Sequence, residues 1–487
     1  MDSFKVPLVI RGELIEDYGP EFGGRKGGVS FVTPDINNYF DRLVSVSLAS
    51  MRDYQGLSID EVARFLDELG AMLRVDDNRY LHEAFQLSCH TSGISAPVLE
   101  ALYRHAGSQF FGRDAVLHHA EATVGIKYLE GWVPNRMLDG SITETRAFGA
   151  RSVHVIAGNS PAIAFMTVVR AAITRSDCIA KVPSNDPLTF GAILRTMIEL
   201  DAAHPVTRHM ASAYWKGGDE AFESRLYRPE RVEKIIAWGG FDSIQHIVGY
   251  LRPGLDLITM DPKQSASIIG RQALADDETM RAVAQRAACD IGAFNQELCA
   301  NARVLYVECD HDDPRELGKL NRFGAYVYEA LQNLPQTLST RSKYSDVALN
   351  DEIDGLFLMD DWYRVHRDDE TSGGVIVSQT EEPVEFAAML GCRTANIVPL
   401  KSMDDILRRI NAATQTVGVY PLSTKKAIRD QLALRGAQII VSLGYVARIQ
   451  TAGPVDGMEP ERRMCKWLVD QSRNETMPGP WVDVNHA

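Results

Sequence analysis

The 487-residue sequence has no apolar run close to the roughly 20 residues that a membrane-spanning helix needs. Its longest largely apolar stretch, residues 153–173, is interrupted by histidine, asparagine, proline and arginine, which favours strand, loop and helix. The N-terminus places two carboxylates soon after a short apolar run and lacks a small-residue cleavage site, which argues against a secretory signal. We therefore expect a soluble, cytoplasmic protein without membrane insertion.

A block of basic residues is also absent. The formal net charge is -14, and no Lys/Arg block offsets this acidic excess, which argues against nucleic acid or an anionic membrane as a partner. The seven cysteines, at positions 89, 178, 289, 299, 309, 392 and 465, lack the spacing of a disulfide framework or a zinc site, which fits a reducing compartment. The Cys, His and Asp residues at 309–313 have no second ligand group at suitable spacing, so we expect a solvated turn there and no metal.

What is present is an alternation of helical and strand-like patterns. Residues 40–129 read as a helical preface, and residues 151–270 alternate short apolar runs with helical patterns. This alternation predicts an α/β fold with a doubly wound parallel sheet that binds a dinucleotide, followed by a second α/β domain. We predict three parts: 1–265, the preface and NAD(P)-binding domain; 266–435, a catalytic domain; and 436–487, a C-terminal returning and oligomerisation segment.

Cys299 differs from the other six cysteines in its sequence context. It follows the polar triplet Asn295, Gln296 and Glu297 at the end of a helix predicted over 277–296, and a strand-like run follows it. A cysteine is catalytic only as the thiolate, which needs polar and partly open surroundings, whereas most unpaired cysteines are inert core residues. This context makes Cys299 the candidate nucleophile of the catalytic domain, with an inert core cysteine as the alternative.

Asn159 follows the strand-like run VHVIA in the segment AGNSPA. An asparagine at the end of a parallel strand faces the crevice at the carboxyl edge of the sheet, where such folds bind ligands. Its amide N–H, together with a backbone N–H at the nucleophile, would stabilise the oxyanion formed when a thiolate attacks a carbonyl. The alternative is that Asn159 only caps the helix that follows it.

Three further residues fit a nucleotide site. Lys181 ends a predicted strand in CIAKVPSNDPLT, where it could reach a cofactor ribose or phosphate. The alternative is a solvated lysine at a strand end without a role in binding. Gly239 and Gly240 lie between a strand and a helix in IIAWGGFDSI, where they would let a pyrophosphate approach backbone N–H groups. An ordinary tight turn explains the two glycines equally well.

Taken in this order, the segments GNSP, KVPSNDPLT, WGGFDSI and FNQELCANARV resemble motifs of the aldehyde dehydrogenase superfamily. The closest resemblance is to acyl-CoA reductases of the LuxC type, the reductase component of the bacterial bioluminescence fatty acid reductase, and rests on SNDPLT, DPKQS and GPVDGM followed by KWLVD. It implies an aldehyde-dehydrogenase-like fold, with Cys299 as nucleophile and Asn159 in the oxyanion hole. Lys181, Ser184, Trp238, Gly239 and Gly240 would bind the cofactor.

The sequence departs from the superfamily pattern at the general base. Thr259 stands where hydrolytic aldehyde dehydrogenases carry a glutamate, so water would be poorly activated against an acyl-cysteine. This favours an enzyme that transfers or reduces a thioester over one that makes free acid. Asp261, two residues away, could replace the missing base.

Other departures concern the cofactor and the nucleophile loop. Ser184 stands where NAD-preferring relatives often carry a carboxylate, which favours NADPH, although Asn185 and Asp186 lie close by. Gln296 and Glu297 replace the glycine and glutamine that many relatives have before the cysteine. The second ribose-binding glutamate of the family has no clear counterpart, and Glu385 is a guess for it.

We therefore expect an NADPH-dependent reductase that converts an acyl-CoA, or an acyl-protein thioester, to an aldehyde through an acyl-cysteine, with CoA as co-product. The alternatives are a CoA-acylating aldehyde dehydrogenase that acts on a small aldehyde, and a non-catalytic scaffold on a degenerate dehydrogenase fold. The resemblance also implies a homo-oligomer and an acyl-protein synthetase as partner.

Overall fold

The computed structural model describes residues 4–23, 29–44, 46–138, 140–260, 263–448 and 451–471. Short strands open the chain, and the sequence patterns predicted none of them: β1 Phe4–Lys5, β2 Leu8–Ile10, β3 Glu13–Ile15, β4 Tyr18–Gly23 and β5 Ser30–Pro34. β1, β5 and β4 form a small sheet, while β2 and β3 extend the edge of a large one. No helix in these described ranges is long and apolar enough to cross a membrane.

The helical preface predicted for residues 40–129 is present: α1 Phe40–Val44, α2 Leu48–Gly56, α3 Ile59–Met72, α4 Arg79–Thr91, α5 Ala96–Phe111, α6 Arg113–Thr123 and α7 Ile126–Glu130. The start of α3 shows the local cause, because Ser58 and Glu61 form a reciprocal capping box there. The hairpin strands β6 Val133–Arg136 and β7 Ile142–Phe148 follow.

The first large sheet and its helices comprise β8 Arg151–Val155, α8 Ala162–Ile173, β9 Asp177–Lys181, α9 Thr189–Asp201, α10 Pro205–Arg208, β10 Met210–Ala213, α11 Glu220–Leu226, β11 Lys234–Trp238, α12 Phe241–Val248 and β12 Asp256–Met260. The strand order is β12-β11-β8-β9-β10-β2-β3, and β8 to β12 run parallel. The order reverses between β8 and β11, so a crevice opens at the carboxyl ends of these two strands.

The second large sheet is built the same way from β13 Gln264–Ile269, α13 Asp277–Gly292, β14 Ala302–Glu308, α14 Pro314–Gln332, α15 Val347–Leu356, β15 Tyr363–His366, β16 Gly374–Ser378, β17 Thr394–Leu400, α16 Met403–Arg408, β18 Thr414–Tyr420, α17 Leu422–Arg435 and β19 Ile439–Ser442. Its order is β15-β16-β17-β14-β13-β18-β19, with only β15 antiparallel. The domain limits at 265 and 435 stay a prediction; β13 spans the first limit, and β19 of the same sheet lies beyond the second.

The C-terminal part returns to the first half of the chain. Its amphipathic segment folds as a short helix, α18 Pro460–Met464, and a strand, β20 Lys466–Asp470, which pairs with β7. Glu461 anchors the return, because its buried carboxylate accepts a 2.8 Å hydrogen bond from Arg170 Nε on α8 and lies 3.0 Å from His119 Nε2 on α6. The last described elements are therefore held to the core of the first sheet by a buried charge cluster.

Candidate active site

The segment before Cys299 leaves the helical conformation earlier than predicted. α13 ends at Gly292, and Phe294, Asn295 and Gln296 have φ values of 53°, 56° and 64°. These values lie in the left-handed region, which residues with side chains rarely occupy. The predicted helix up to residue 296 is therefore wrong, because such a run persists only where neighbouring contacts impose it.

Two buried amide side chains impose this path. The Gln296 side chain both donates to and accepts from the backbone of Thr394 on β17. The Asn301 side chain accepts from the Leu298 N–H and donates to two carbonyls at the end of α13. Gln296, which departs from the superfamily pattern, thus holds the nucleophile loop against β17.

The Cys299 thiol is half-buried in the turn between this loop and β14. Burial raises the pKa of the thiol, whereas hydrogen bonds from the Gln415 side chain and from the N–H groups of Cys299 and Ala300 lower it. The Cys299 carbonyl accepts a 2.8 Å hydrogen bond from Ser265 Oγ on β13. A thiolate at this position has several hydrogen-bond donors around it, which suits a nucleophilic cysteine.

Asn159 lies in the loop after β8, at the crevice of the first sheet, and contacts the nucleophile loop. Its Nδ2 donates a 3.0 Å hydrogen bond to the Glu297 carbonyl. The N-cap of α8 is Pro161, without a side-chain capping bond, and the Asn159 side chain makes no hydrogen bond to that helix. The geometry therefore does not support the capping alternative, and it brings the amide to the loop that carries Cys299.

Lys181 ends β9, as the sequence predicted. Its ammonium lies 5.7 Å from the Trp215 ring centroid. Burial lowers the pKa of Lys181, and the charge of Glu223 on α11 opposes this shift. Glu223 accepts a 3.0 Å hydrogen bond from Trp215 Nε1 and lies 2.6 Å from His246 Nε2 on α12. Lys181 is thus part of a buried polar group beside α11 and is not a solvated strand-end lysine.

The turn Gly239–Gly240 joins β11 to α12, again as predicted. A Cβ atom added to Gly239 would lie 3.0 Å from the Ser243 Cβ, whereas one added to Gly240 would meet nothing within 4 Å. Trp238 precedes the turn, and the Arg170 guanidinium lies 5.8 Å from its ring centroid.

A cleft of about 530 Å³ opens between α11 and α12, lined by Glu220, Ala221, Ser224, His246, Gly249 and Tyr250.

Ser184 is half-buried in the turn between β9 and α9. Its two polar neighbours are engaged inside the protein. Asp186 accepts a 2.5 Å hydrogen bond from Thr189 Oγ1, and burial raises its pKa to about 6. Asn185 Nδ2 donates a 2.8 Å hydrogen bond to the Gly158 carbonyl. Asn185 has no carboxylate, and the carboxylate of Asp186 is already hydrogen-bonded to Thr189.

The sequence lacks two glutamates of the superfamily, the general base and the second ribose ligand, and the structure places the residues considered at these two positions as follows. Thr259 lies half-buried on the edge strand β12, and Asp261 lies outside the described residues. Glu385, the guess for a ribose ligand, is exposed. A carboxylate that acts on Cys299 in the structure belongs to Asp456, whose charge raises the pKa of the thiol.

Sequence reasoning missed Ser265, Gln415 and Asp456. Only Asp456 carried a signal, because the Asp-Gly pair in GPVDGM is typical of a tight two-residue turn. Gln415 and Ser265 lie on strands, and their nearness to Cys299 depends on how β13, β14 and β18 pair.

Comparisons with known proteins agree with this architecture. The model of the family "Acyl-CoA reductase (LuxC)" matches residues 55–467. The chain is 28% identical over 342 residues to the long-chain acyl-protein thioester reductase of Photorhabdus laumondii, covering 70% of this chain and 67% of that protein. It is 28% identical over 475 residues to the protein of the same name from Aliivibrio fischeri, covering 95% and 92%.

Among solved structures, aldehyde dehydrogenase 21 from Physcomitrella patens matches with a TM-score of 0.72 at 12% identity, over 98% of this chain and 100% of that one. This match confirms the predicted aldehyde dehydrogenase fold. The matched family range contains the oxyanion-motif, lysine, double-glycine and cysteine segments from which the resemblance was inferred. The chain belongs to the acyl-CoA reductase (LuxC) family.

Proposed function

We propose that this protein reduces a fatty acyl thioester, supplied as acyl-CoA or as an acyl-protein, to an aldehyde with NADPH. The observation that carries the proposal is the contact between the loop after β8 and the loop before Cys299, where Asn159 Nδ2 donates to the Glu297 carbonyl. A thiol nucleophile beside an amide donor is the arrangement that acyl transfer through an oxyanion requires. The names of the curated relatives, long-chain acyl-protein thioester reductases, support the substrate class.

In the proposed reaction the Cys299 thiolate attacks the thioester carbon. A C–S bond to Cys299 forms, the bond to the donor thiol breaks, and the departing thiolate takes a proton from solvent. Addition of a hydride to the acyl carbon then makes a thiohemiacetal anion, whose collapse breaks the C–S bond and releases the aldehyde and the Cys299 thiolate. The Asn159 amide and the Cys299 backbone N–H would stabilise the oxygen charge in both tetrahedral species.

The first sheet fits a nicotinamide dinucleotide, which supplies the hydride when bound. Its crevice lies at the switch point between β8 and β11, where doubly wound sheets bind ligands. Gly240 leaves space at the start of α12, so a pyrophosphate could approach backbone N–H groups there. Trp238 ends β11 at this turn, and Lys181 supplies a cation beside α11.

The preference for NADPH rests on Ser184. The Asp186 carboxylate is buried and accepts a hydrogen bond from Thr189 Oγ1 at the start of α9, so it is not exposed to accept hydrogen bonds from the ribose hydroxyls of NAD. A serine hydroxyl can donate to the 2′-phosphate of NADPH, whereas a carboxylate cannot.

Thr259 supports reduction over hydrolysis. A threonine hydroxyl on β12 is not a base at neutral pH, so it would not activate water against the acyl-cysteine. Without an efficient base to activate water, hydrolysis of the acyl-cysteine is slow, so the acyl group can be reduced before it is hydrolysed.

A homo-oligomer and an acyl-protein synthetase partner belong to the same proposal. The sheet β20-β7-β6 and the β6–β7 connection carry exposed apolar side chains, Ile142 and Val469 on the strands and Leu138 in the connection, which supports contact with another copy of the chain. The acyl-protein named in the relatives' descriptions supports a protein donor.

The test is a panel of acyl-CoAs of increasing chain length, assayed for NADPH oxidation and for aldehyde, with radiolabelled acyl groups to detect the acyl-enzyme. We expect label on Cys299 and aldehyde equal to the NADPH consumed. Faster conversion of a small aldehyde with NAD and CoA would favour the CoA-acylating alternative. Absence of label with every donor would refute the enzyme proposal and favour the scaffold.

A further inference from the structure

The turn at 455–458 places a carboxylate near the nucleophile. Val455 and Met458 exchange backbone hydrogen bonds of 2.8 and 3.0 Å, and the two residues between them, Asp456 and Gly457, have φ values of 51° and 75°. Positive φ at both central positions is the geometry of a type I′ turn, which favours Asp-Gly. The turn holds the Asp456 side chain against β18, where Oδ1 accepts a 2.6 Å hydrogen bond from Gln415 Nε2.

Gln415 joins this carboxylate to Cys299. Its side chain is buried and lies close enough to the Cys299 sulfur to lower the pKa of the thiol. The next residue, Thr416, donates its N–H at 3.1 Å to Ser265 Oγ, which in turn donates at 2.8 Å to the Cys299 carbonyl. This chain of bonds fixes the backbone of Cys299 relative to the strand that carries Gln415.

The carboxylate decides which end of the Gln415 amide faces the sulfur. An ionised carboxylate only accepts hydrogen bonds, so the nitrogen of the amide must face Asp456. That NH₂ group has two hydrogens, and the second is available for the sulfur. With the amide reversed, its oxygen would face both the carboxylate and a developing thiolate.

We propose that Gln415 donates a hydrogen bond to the Cys299 thiolate and that Asp456 is the positioning residue that holds the amide in this orientation. The inference rests on the proposed function, in which Cys299 is the nucleophile. The C-terminal turn thereby takes part in activating a cysteine more than 150 residues earlier in the chain.

Several charges act on the sulfur together with this hydrogen bond. Asp456 itself is negative and raises the pKa of the Cys299 thiol, whereas the positive Arg303 on β14 interacts with both Cys299 and Glu297. Removal of Asp456 therefore has two opposite effects: the negative charge is lost, which favours the thiolate, and the orientation of Gln415 is lost, which disfavours it. An experiment must separate the two.

The experiment measures the rate of Cys299 alkylation by iodoacetamide from pH 6 to 10 on the full chain, with the modified peptide identified by mass spectrometry. The midpoint is the pH at which the alkylation rate is half its maximum. We expect Gln415→Met to raise this midpoint by about one to two pH units, the usual range for a hydrogen bond to a charged group. Gln431→Met, at an exposed position on α17, is the matched control and should leave the midpoint unchanged.

Asp456→Asn and Asp456→Ala test the positioning role. Both remove the charge, but only asparagine keeps an oxygen that accepts from the Gln415 amide. The midpoint for Asp456→Ala should therefore lie above that for Asp456→Asn by about half to one pH unit, and the difference should vanish in a Gln415→Met background. The difference between Asp456→Ala and Asp456→Asn in the otherwise unchanged chain decides the matter even where Gln415→Met fails to fold.

An unchanged midpoint in folded Gln415→Met, or equal midpoints for the two Asp456 variants, would overturn the inference. Failure of the proposed function is a separate outcome, since it would show as acyl label that persists in Cys299→Ala. If Gln415→Met shifts the alkylation midpoint while Cys299→Ala still takes up acyl label, the hydrogen bond from Gln415 to Cys299 stands, but Cys299 is not the nucleophile.

Discussion

Replacement of Asn159 by alanine isolates the contribution of one amide to the reaction. The structure shows one N–H of this amide donated to the Glu297 carbonyl at 3.0 Å, which leaves the other for the acyl oxygen. Loss of one oxyanion donor costs about 2.7–4 kcal/mol of transition-state stabilisation, a rate decrease of about 100- to 1000-fold. Loss of the bond to Glu297 should cost only about 1 kcal/mol of folding stability.

The assay is the rate of acyl-enzyme formation in a single turnover, together with thermal unfolding of each variant. Asn185→Ala is the matched control, because Asn185 Nδ2 donates to the Gly158 carbonyl in the loop that carries Asn159 but makes no bond to the nucleophile loop. We expect the control to lose less than about fivefold in rate, the equivalent of one neutral hydrogen bond.

Asn159→Asp sharpens the test. The carboxylate has nearly the same shape as the amide, but it would face the Glu297 carbonyl without a hydrogen to share and would set a negative charge against the oxyanion. We expect a folded protein with almost no acylation activity. A folded and active aspartate variant, or a loss below about fivefold in Asn159→Ala, would refute the oxyanion role.

Three further predictions follow from the geometry. Cys299→Ala should abolish acyl-enzyme formation yet leave cofactor affinity, measured by fluorescence titration, nearly unchanged; substantial remaining reductase activity would exclude Cys299 as nucleophile. Ser184→Glu should shift preference from NADPH toward NADH by about 1–3 kcal/mol in relative kcat/KM, and equal, unaltered use of both cofactors would contradict the assignment. Burial raises the pKa of Asp290 to about 7, well above its unfolded value near 3.9. The unfolded state therefore ionises first, and stability should fall between about pH 4 and pH 7; Asp290→Asn should flatten this fall in urea denaturation, and parallel curves would count against it.

The sequence by itself determined the strand–helix alternation of the first large sheet and the order of the candidate site residues along the chain. Runs of buried apolar residues and helical spacing are local properties, so the alternation from 151 to 270, the strand end at Lys181 and the strand–turn–helix at Gly239–Gly240 all appear where the patterns predicted them. The position of Cys299 between α13 and β14 is equally local. These features need no knowledge of distant contacts, because each follows from the residues within one element and its ends.

Tertiary structure alone decided the surroundings of Cys299. The left-handed run from Phe294 to Gln296 opposes local preference, and hydrogen bonds to β17 impose it. The pairing of β13 with both neighbours shifts register around Ser265, which helps to set where the Ser265 hydroxyl meets the Cys299 carbonyl. Asp456 joins the site only because the C-terminal chain returns across β18. Strand register and chain return depend on contacts between residues far apart in the sequence, and no local pattern records them.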